Sequence, residues 1–69
     1  MAEAFVLRGE TIDLHCLLKA AGLCGSGGEA KQVIEQGLVS VDGQVETRKA
    51  CKIRRGQTVS FDGHSVAVE

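Results

Sequence analysis

Proline, tryptophan and tyrosine are absent from this 69-residue chain, and Phe5 and Phe61 are its only aromatic residues. Recognition that stacks bases or sugars on aromatic platforms is therefore excluded. No apolar stretch approaches the roughly 20 residues of a membrane-spanning helix. The opening MAEAFVLRGE carries acids where a secretory signal needs basic and then apolar residues. Cysteine is scarce and odd in number: Cys16, Cys24 and Cys51, at intervals of eight and twenty-seven, contain no Cys-x-x-Cys knuckle. A disulfide framework and a zinc site are both unexpected on that spacing, and a reducing cytoplasm is the expected compartment.

Catalysis is also unexpected. A domain this small leaves little room for a nucleophile, an acid-base partner and an enclosing pocket. His15 and Cys16 are helix neighbours whose side chains should point about 100° apart, which does not make a Cys-His pair. Cys16 lies beside the apolar stripe and is expected half-buried, and His64 reads as a structural residue at a strand end. Cys24 is the thiol to probe, since a nearby helix start lowers a thiol pKa.

What is present is ordinary globular material, 43% hydrophobic and 25% charged, with nine glycines. Length allows a single domain over residues 1–69, without repeat or linker. Leu14, Leu17, Leu18 and Ala21 fall at i, i+3, i+4 and i+7, predicting a helix over about 13–21 that Thr11 or Asp13 caps and Gly22 ends. Ser26 stands three residues before Glu29, the spacing of a capping box, and opens a second helix over about 27–36 with Ala30, Val33 and Ile34 inward and Gly37 as its stop.

Beyond Gly37 the apolar period becomes two. Hairpins are predicted over about 38–46 and 57–68, turning at Asp42-Gly43 and Asp62-Gly63. In the first, a three-residue bulged turn pairs Val39 with Val45 and keeps the valines on one face; in the second, a two-residue turn pairs Phe61 with His64 and Val59 with Val66. Phe5-Val6-Leu7 is either a further strand or a packed arm. The fold class is α+β, two short helices on a small antiparallel sheet.

Charge is unevenly distributed. The formal total is -1, yet Arg48, Lys49, Lys52, Arg54 and Arg55 place five of the eight basic residues in one eight-residue window without an acid. Extended backbone there would turn Cys51 and Ile53 inward and Lys52 and Arg54 outward. Local potential is what a polyanion meets, because salt screens charges beyond about 8 Å. The Gly25-Ser26-Gly27-Gly28 turn adds backbone N–H groups at a helix start, with Lys31 one turn on. Glycine at positions 27 and 28 is poor helix material and suits close approach by another backbone. The Lys-Ser/Thr pair of a phosphate-binding Walker loop is missing.

Taken together, Ser26-Gly27-Gly28-Glu29-Ala30-Lys31, Ile34, Gly37 and Val39-Ser40-Val41-Asp42-Gly43 resemble the signature of the ribosomal-protein-S-four type (αL) RNA-binding domain family. Leu17-Leu18-Lys19, Glu46-Thr47-Arg48-Lys49, Cys51-Lys52-Ile53 and Gly56-Gln57-Thr58-Val59-Ser60-Phe61 are similar to its small stand-alone bacterial members. The resemblance implies non-catalytic binding of structured RNA, of the ribosomal or transfer class, across the two helices and the adjoining β-loop, with no cofactor and no small-molecule substrate. It implies that Ser26, Gly28 and Lys31 meet the RNA backbone, that Gly27 shares their turn, and that Arg48, Lys49 and Lys52 flank it; Arg54 and Arg55 follow by proximity. The chain departs from the family in its slight acidity and in Asp42, where the turn often has asparagine. The alternative is an adapter whose basic face docks an acidic protein, such as a ribosome-associated factor.

Overall fold

The computed structural model describes residues 2–69. In chain order the elements are β1 (Ala2–Phe5), β2 (Ile12–Asp13), α1 (Leu14–Ala20), α2 (Gly27–Glu35), β3 (Val39–Val41), β4 (Gln44–Val45), β5 (Lys52–Ile53), β6 (Thr58–Phe61) and β7 (His64–Val68). Both helices end where glycine allows. Gly22 and Gly37 take φ of 79° and 77°, so the chain reverses at each without a Cβ clash. The Leu23 N–H then reaches the Leu18 carbonyl at 3.0 Å and the Leu38 N–H the Val33 carbonyl at 3.1 Å, while the N–H groups of Gly22 and Gly37 bond Lys19 and Ile34. These are complete Schellman ends, as the glycine spacing predicts.

The core follows from the stripes. Leu14, Leu17 and Leu18 of α1 and Ala30 and Ile34 of α2 are fully buried against Val39, Val59 and Ile53, with Val68 and Leu7 nearly so. Removing each large aliphatic side chain from water contributes about 1.5–3 kcal/mol, and this aliphatic set takes the place that aromatic residues hold in other small domains. In the larger sheet, ordered β1-β7-β6-β3-β4, Val59 lies opposite Val41 and Val66, and Phe61 opposite Val39 and His64. The second hairpin has the predicted register. Val39, Val41, Val59, Phe61, Val66 and Val68 share one side of the sheet, and Ser40, Val45, Thr58, Ser60, Ser65 and Ala67 take the other.

Three expectations change. The sheet is mixed rather than antiparallel, because β1 runs parallel to β7 with Phe5 opposite Val68. Hydrogen bonds from Glu69 N to Phe5 O (2.8 Å) and from Leu7 N to Glu69 O (2.7 Å) extend this union past the strand. The Phe5–Leu7 segment is thus partly strand: Phe5 ends β1, Val6 is 70% exposed and Leu7 is buried. Secondly, β2 and β5 form a separate two-stranded ladder, Ile12 opposite Ile53 and Asp13 opposite Lys52. Its partners lie far apart in the chain and each is two residues long, too short for a period to show.

Thirdly, the first hairpin has a two-residue turn. Ser40 faces Val45 and Val41 faces Gln44, with Asp42 and Gly43 at φ of 51° and 82°. Burial does not choose the register here, because β4 is a two-residue edge strand and Val45 remains 63% exposed. Turn geometry chooses it instead: positive φ at both central residues matches the strand twist. The Asp42 side chain fastens the turn to β6, Oδ1 accepting from Thr58 N at 2.9 Å while Asp42 N donates to Thr58 O at 2.8 Å.

Asp62 occupies the equivalent left-handed position, φ 52°, in the second hairpin. Asp42→Ala and Asp62→Ala should both destabilise, and Asp42→Ala by about 1 kcal/mol more because Thr58 N loses its side-chain acceptor. Urea unfolding measures the pair; equal losses would remove the Thr58 bond from the account.

Candidate nucleic-acid interface

The start of α2 is built on Ser26, whose extended backbone (φ -153°, ψ 163°) turns Oγ to accept the Glu29 N–H at 3.1 Å. The capping box closes one residue earlier than its spacing suggests, because the Glu29 carboxylate accepts from Gly25 N at 3.3 Å rather than from Ser26 N. Neither Gly27 nor Gly28 has positive φ. A Cβ at Gly27 would meet nothing within 4 Å, and one at Gly28 only Ser26 Oγ at 3.9 Å. The fold therefore does not require glycine at either place, and alanine would favour the helix. Exposed Lys31 lies four residues beyond Gly27 and four before Glu35, so the three share one stripe of α2.

The basic segment meets the far end of that stripe, Lys49 Nζ lying 3.2 Å from Glu35 Oε1. Its backbone is held by α1. Asp13 takes the N-cap position of α1 without a side-chain cap, and Thr11 does not replace it. Instead Leu14 N donates to Cys51 O at 2.9 Å and His15 N to Lys49 O at 3.2 Å, so the basic segment supplies carbonyls to the unpaired N–H groups of the helix start. Ile53 is fully buried, Cys51 partly so, and Lys52 and Arg54 are exposed, the alternation expected of extended chain.

These cations do not stand alone. Glu46 takes the Arg48 guanidinium on both oxygens, from Nε and Nη2 at 3.0 Å each, and the Arg48 N–H at 2.9 Å. Lys52 Nζ is bonded to Asp13 Oδ1. With Lys49 on Glu35, three of the five basic side chains in the window carry a carboxylate from outside it, so the acid-free window is locally compensated. Arg55 Nη2 donates to Leu7 O at 2.9 Å, which ties that side chain to the N-terminal arm. Among the described residues, the Lys31 and Arg54 side chains form no ion pair. The structure thus brings Gly27, Lys31 and Lys49 along one stripe of α2, with Ser26 and Gly28 at the helix start, places Lys52 beside the start of α1, and sends Arg55 elsewhere.

The carboxylates Asp13, Glu35 and Glu46 escape sequence reasoning because only the folded backbone brings the first two to their lysines. Glu46, two residues before Arg48, is visible in the sequence as a neighbour but not as a chelating one. Hydrogen bonding to Arg48 holds the Glu46 carboxyl at about 2, against its ordinary 4.5. The Arg48 guanidinium is raised in turn by Glu46. Asp13 is lowered chiefly by its hydrogen bond to Lys52.

The thiols and histidines differ from expectation. Cys24 is buried, and that burial, helped by the charge of Glu29, raises its pKa, so the helix start does not activate it. Cys51 is raised by burial and then by its hydrogen bond to Glu46. Cys16 is exposed rather than half-buried, and its Sγ lies 3.5 Å from His15 Nε2, so these neighbours do meet. His64 is exposed beside the turn of its hairpin and takes no part in the core. An apolar cleft of about 310 Å³ lined by Phe5, Val6, Leu7, Arg8, Thr11 and Ile12 holds no acid-base pair.

Residues 5–69 match the S4 domain family. The chain is 60% identical over 57 residues to the protein YbcJ of Escherichia coli, covering 83% of this chain and 81% of that protein. It is 47% identical over 53 residues to a tyrosine–tRNA ligase of Ralstonia nicotianae, which spans 77% of this chain but only 14% of the ligase. Among solved structures, the solution structure of Escherichia coli YbcJ, which has an αL motif involved in RNA binding, superposes with a TM-score of 0.67 at 51% identity, over 97% of this chain and 84% of that one. The 30S ribosomal protein S4e of Thermoplasma acidophilum shares the fold, with a TM-score of 0.63 at 21% identity over 84% of this chain and 31% of that one.

The depressed Glu46 carboxyl carries a pH signature. A carboxyl whose pKa is lower folded than unfolded stabilises the fold above its unfolded value and loses that contribution as pH falls through the folded one. Between pH 4.5 and about 2, part of the acid loss of stability should come from Glu46. In Glu46→Gln the urea midpoint should fall less steeply across that window, and identical profiles would show that the Arg48 contact does not persist in solution.

Proposed function

The chain belongs to the S4 domain family, and on that premise we propose that it is a non-catalytic protein binding structured RNA of the ribosomal or transfer class. The observation that carries this reading is the open start of α2. Two glycines that the fold does not need leave clear space before a helix N-terminus, with exposed Lys31 on the same stripe. A phosphate there receives unpaired backbone N–H groups and the positive end of the helix dipole, and a ribose-phosphate backbone comes closer to glycine than to any other residue. Lys49 and Lys52, at the far end of the stripe and on the start of α1, supply flanking positive charge.

Phosphates, 2′-hydroxyls and groove shape are what such a surface reads, since no aromatic side chain belongs to it. The paired lysines remain usable: exposed ion pairs contribute only about 0–1 kcal/mol, and a phosphate replaces the carboxylate without a desolvation penalty of the buried kind. RNA-binding relatives, among them YbcJ with its αL motif, support this reading, and residues 1–69 act in it as a single domain. The rival adapter draws on the same ion pairs, which show these cations engaging carboxylates, but it gives Gly27 and Gly28 no task.

Gly28→Ala separates the two. It should raise stability by about 0.5–1 kcal/mol, because alanine is the better helix former and its Cβ would meet only Ser26 Oγ, at 3.9 Å, yet weaken binding to a structured ribosomal or transfer RNA fragment. Fluorescence anisotropy against RNA and urea unfolding read the two effects; unchanged RNA affinity would remove the α2 start from the interface. Alanine at Arg48, Lys49 and Lys52 together should weaken binding across RNA sequences and flatten its salt dependence, by about 0.7–0.9 in log-log slope for each phosphate that is no longer neutralised. Glu35→Gln should act oppositely, freeing Lys49 and tightening RNA about 2–5-fold. Binding of acidic proteins, with no affinity for RNA, would favour the adapter.

A further inference from the structure

At the junction of β2 and α1, three chemically different donors converge. One ligating atom each from Asp13, His15 and Cys16 lies within 4.8 Å of the others. The imidazole is oriented: His15 Nδ1 is 2.8 Å from Lys49 O, a carbonyl that can only accept, so Nδ1 carries the proton and Nε2 presents its lone pair. Metal-ligating histidines are commonly held this way, one ring nitrogen donating to a carbonyl and the other free for the ion. That lone pair faces Cys16 Sγ at 3.5 Å. Bonds of about 2.0 Å to nitrogen and about 2.3 Å to sulfur, at a tetrahedral angle, put the two donors about 3.5 Å apart, so His15 and Cys16 already have the spacing a zinc ion needs.

From these positions we infer that Asp13, His15 and Cys16 form a binding site for a divalent transition metal of the zinc class. The donors are side chains, since a backbone N–H offers a metal ion no lone pair, and those of Leu14 and His15 donate to the carbonyls of Cys51 and Lys49. Thiolate and imidazole select zinc-class ions over magnesium or calcium, and the Asp13 carboxylate completes a three-donor set with a fourth position left for water. In binding, the Cys16 S–H bond breaks, its proton leaves to solvent, and the sulfur lone pair forms the bond to the metal; no electron changes hands. Thiolate and carboxylate together balance the two charges of the ion. Lys52, bonded to Asp13 Oδ1, is the internal competitor for the site. The cluster has no cysteine-pair spacing to mark it in the sequence, since its ligands combine one cysteine with its histidine neighbour and an aspartate of the preceding strand.

Calorimetric titration of the reduced full chain with zinc chloride tests this. One equivalent should bind, magnesium should not compete, and His15→Gln or Cys16→Ser should each weaken zinc at least tenfold. Cys51→Ser should leave it unchanged, and Lys52→Met should tighten it several-fold by releasing Asp13. Cobalt substitution gives a second readout, a thiolate-to-metal absorption band that Cys16→Ser abolishes and Cys51→Ser keeps. Circular dichroism reports whether each variant is folded, and the gain in Lys52→Met cannot arise from unfolding. Zinc affinity that survives Cys16→Ser, that falls equally with Cys51→Ser, or that is no tighter in Lys52→Met would overturn the site.

Discussion

The arrangement of this molecule depends on how the first turn of α1 finds hydrogen-bond acceptors. A seven-residue helix is too short to stand by itself, and its leading N–H groups need partners that the Asp13 side chain does not supply. Carbonyls of Lys49 and Cys51, more than thirty residues on, supply them. Two consequences follow at once. The helix start is held against the core that Ile53 plugs, and the basic segment, its backbone committed to capping, has to send the Lys49 and Lys52 side chains outward. Fold and candidate interface share one set of bonds, so the cations are displayed by the same contact that completes α1.

The second helix is set by its two ends. Ser26 begins it and Gly37 reverses the chain after it, leaving Ala30 and Ile34 buried and Lys31 and Glu35 on the outer side. Because α1 and α2 are joined by a short Schellman-ended turn, the start of α2 lies by the end of α1, and the end of α2 lies by the start of α1 and the basic segment. Glycine-rich turn and lysine-bearing segment are therefore placed at opposite ends of one helix face, about 12 Å apart along its axis. On the proposed RNA-binding reading, that span would take a strand of phosphates crossing the face better than a single bound anion.

Legibility in the sequence follows the range of the interaction. Helix stops at Gly22 and Gly37, the Ser26 cap and the Phe61–His64 hairpin are each decided within about six residues, and each is readable. The parallel pairing of β1 with β7 and the β2–β5 ladder join segments far apart in the chain, and two-residue strands carry no period. Asp42-Gly43 differs for another reason: the expectation of one apolar face assumes that burial sets the register, whereas at an edge strand with an exposed Val45 the turn decides. For the candidate site, the residues of α2 and the position of the basic segment can be read, but the partners of its cations cannot. Asp13 and Glu35 reach Lys52 and Lys49 only through the fold. Composition counts those acids as distant charge; the structure makes them neighbours.

That pairing changes what the net charge of -1 means. A cationic patch balanced by remote acids would attract every polyanion, whereas one whose lysines hold nearby carboxylates has a weak local field until a partner displaces them. Exchange of this kind is inexpensive at the surface, since each exposed pair is worth about 0–1 kcal/mol, and Arg48, chelated by Glu46 on two oxygens and through its own N–H, is the hardest of the three to recruit. On the proposed reading, a phosphate backbone with regularly spaced charges would exchange with Glu35 and Asp13 together while also meeting the N–H groups of Gly27 and Gly28, which no carboxylate occupies. A lone anion gains from only one of these contacts. On the proposed RNA-binding reading, discrimination would come from requiring several exchanges at once at the spacing the fold sets, and a nearly neutral chain would then prefer an extended, structured phosphate backbone to scattered negative charge.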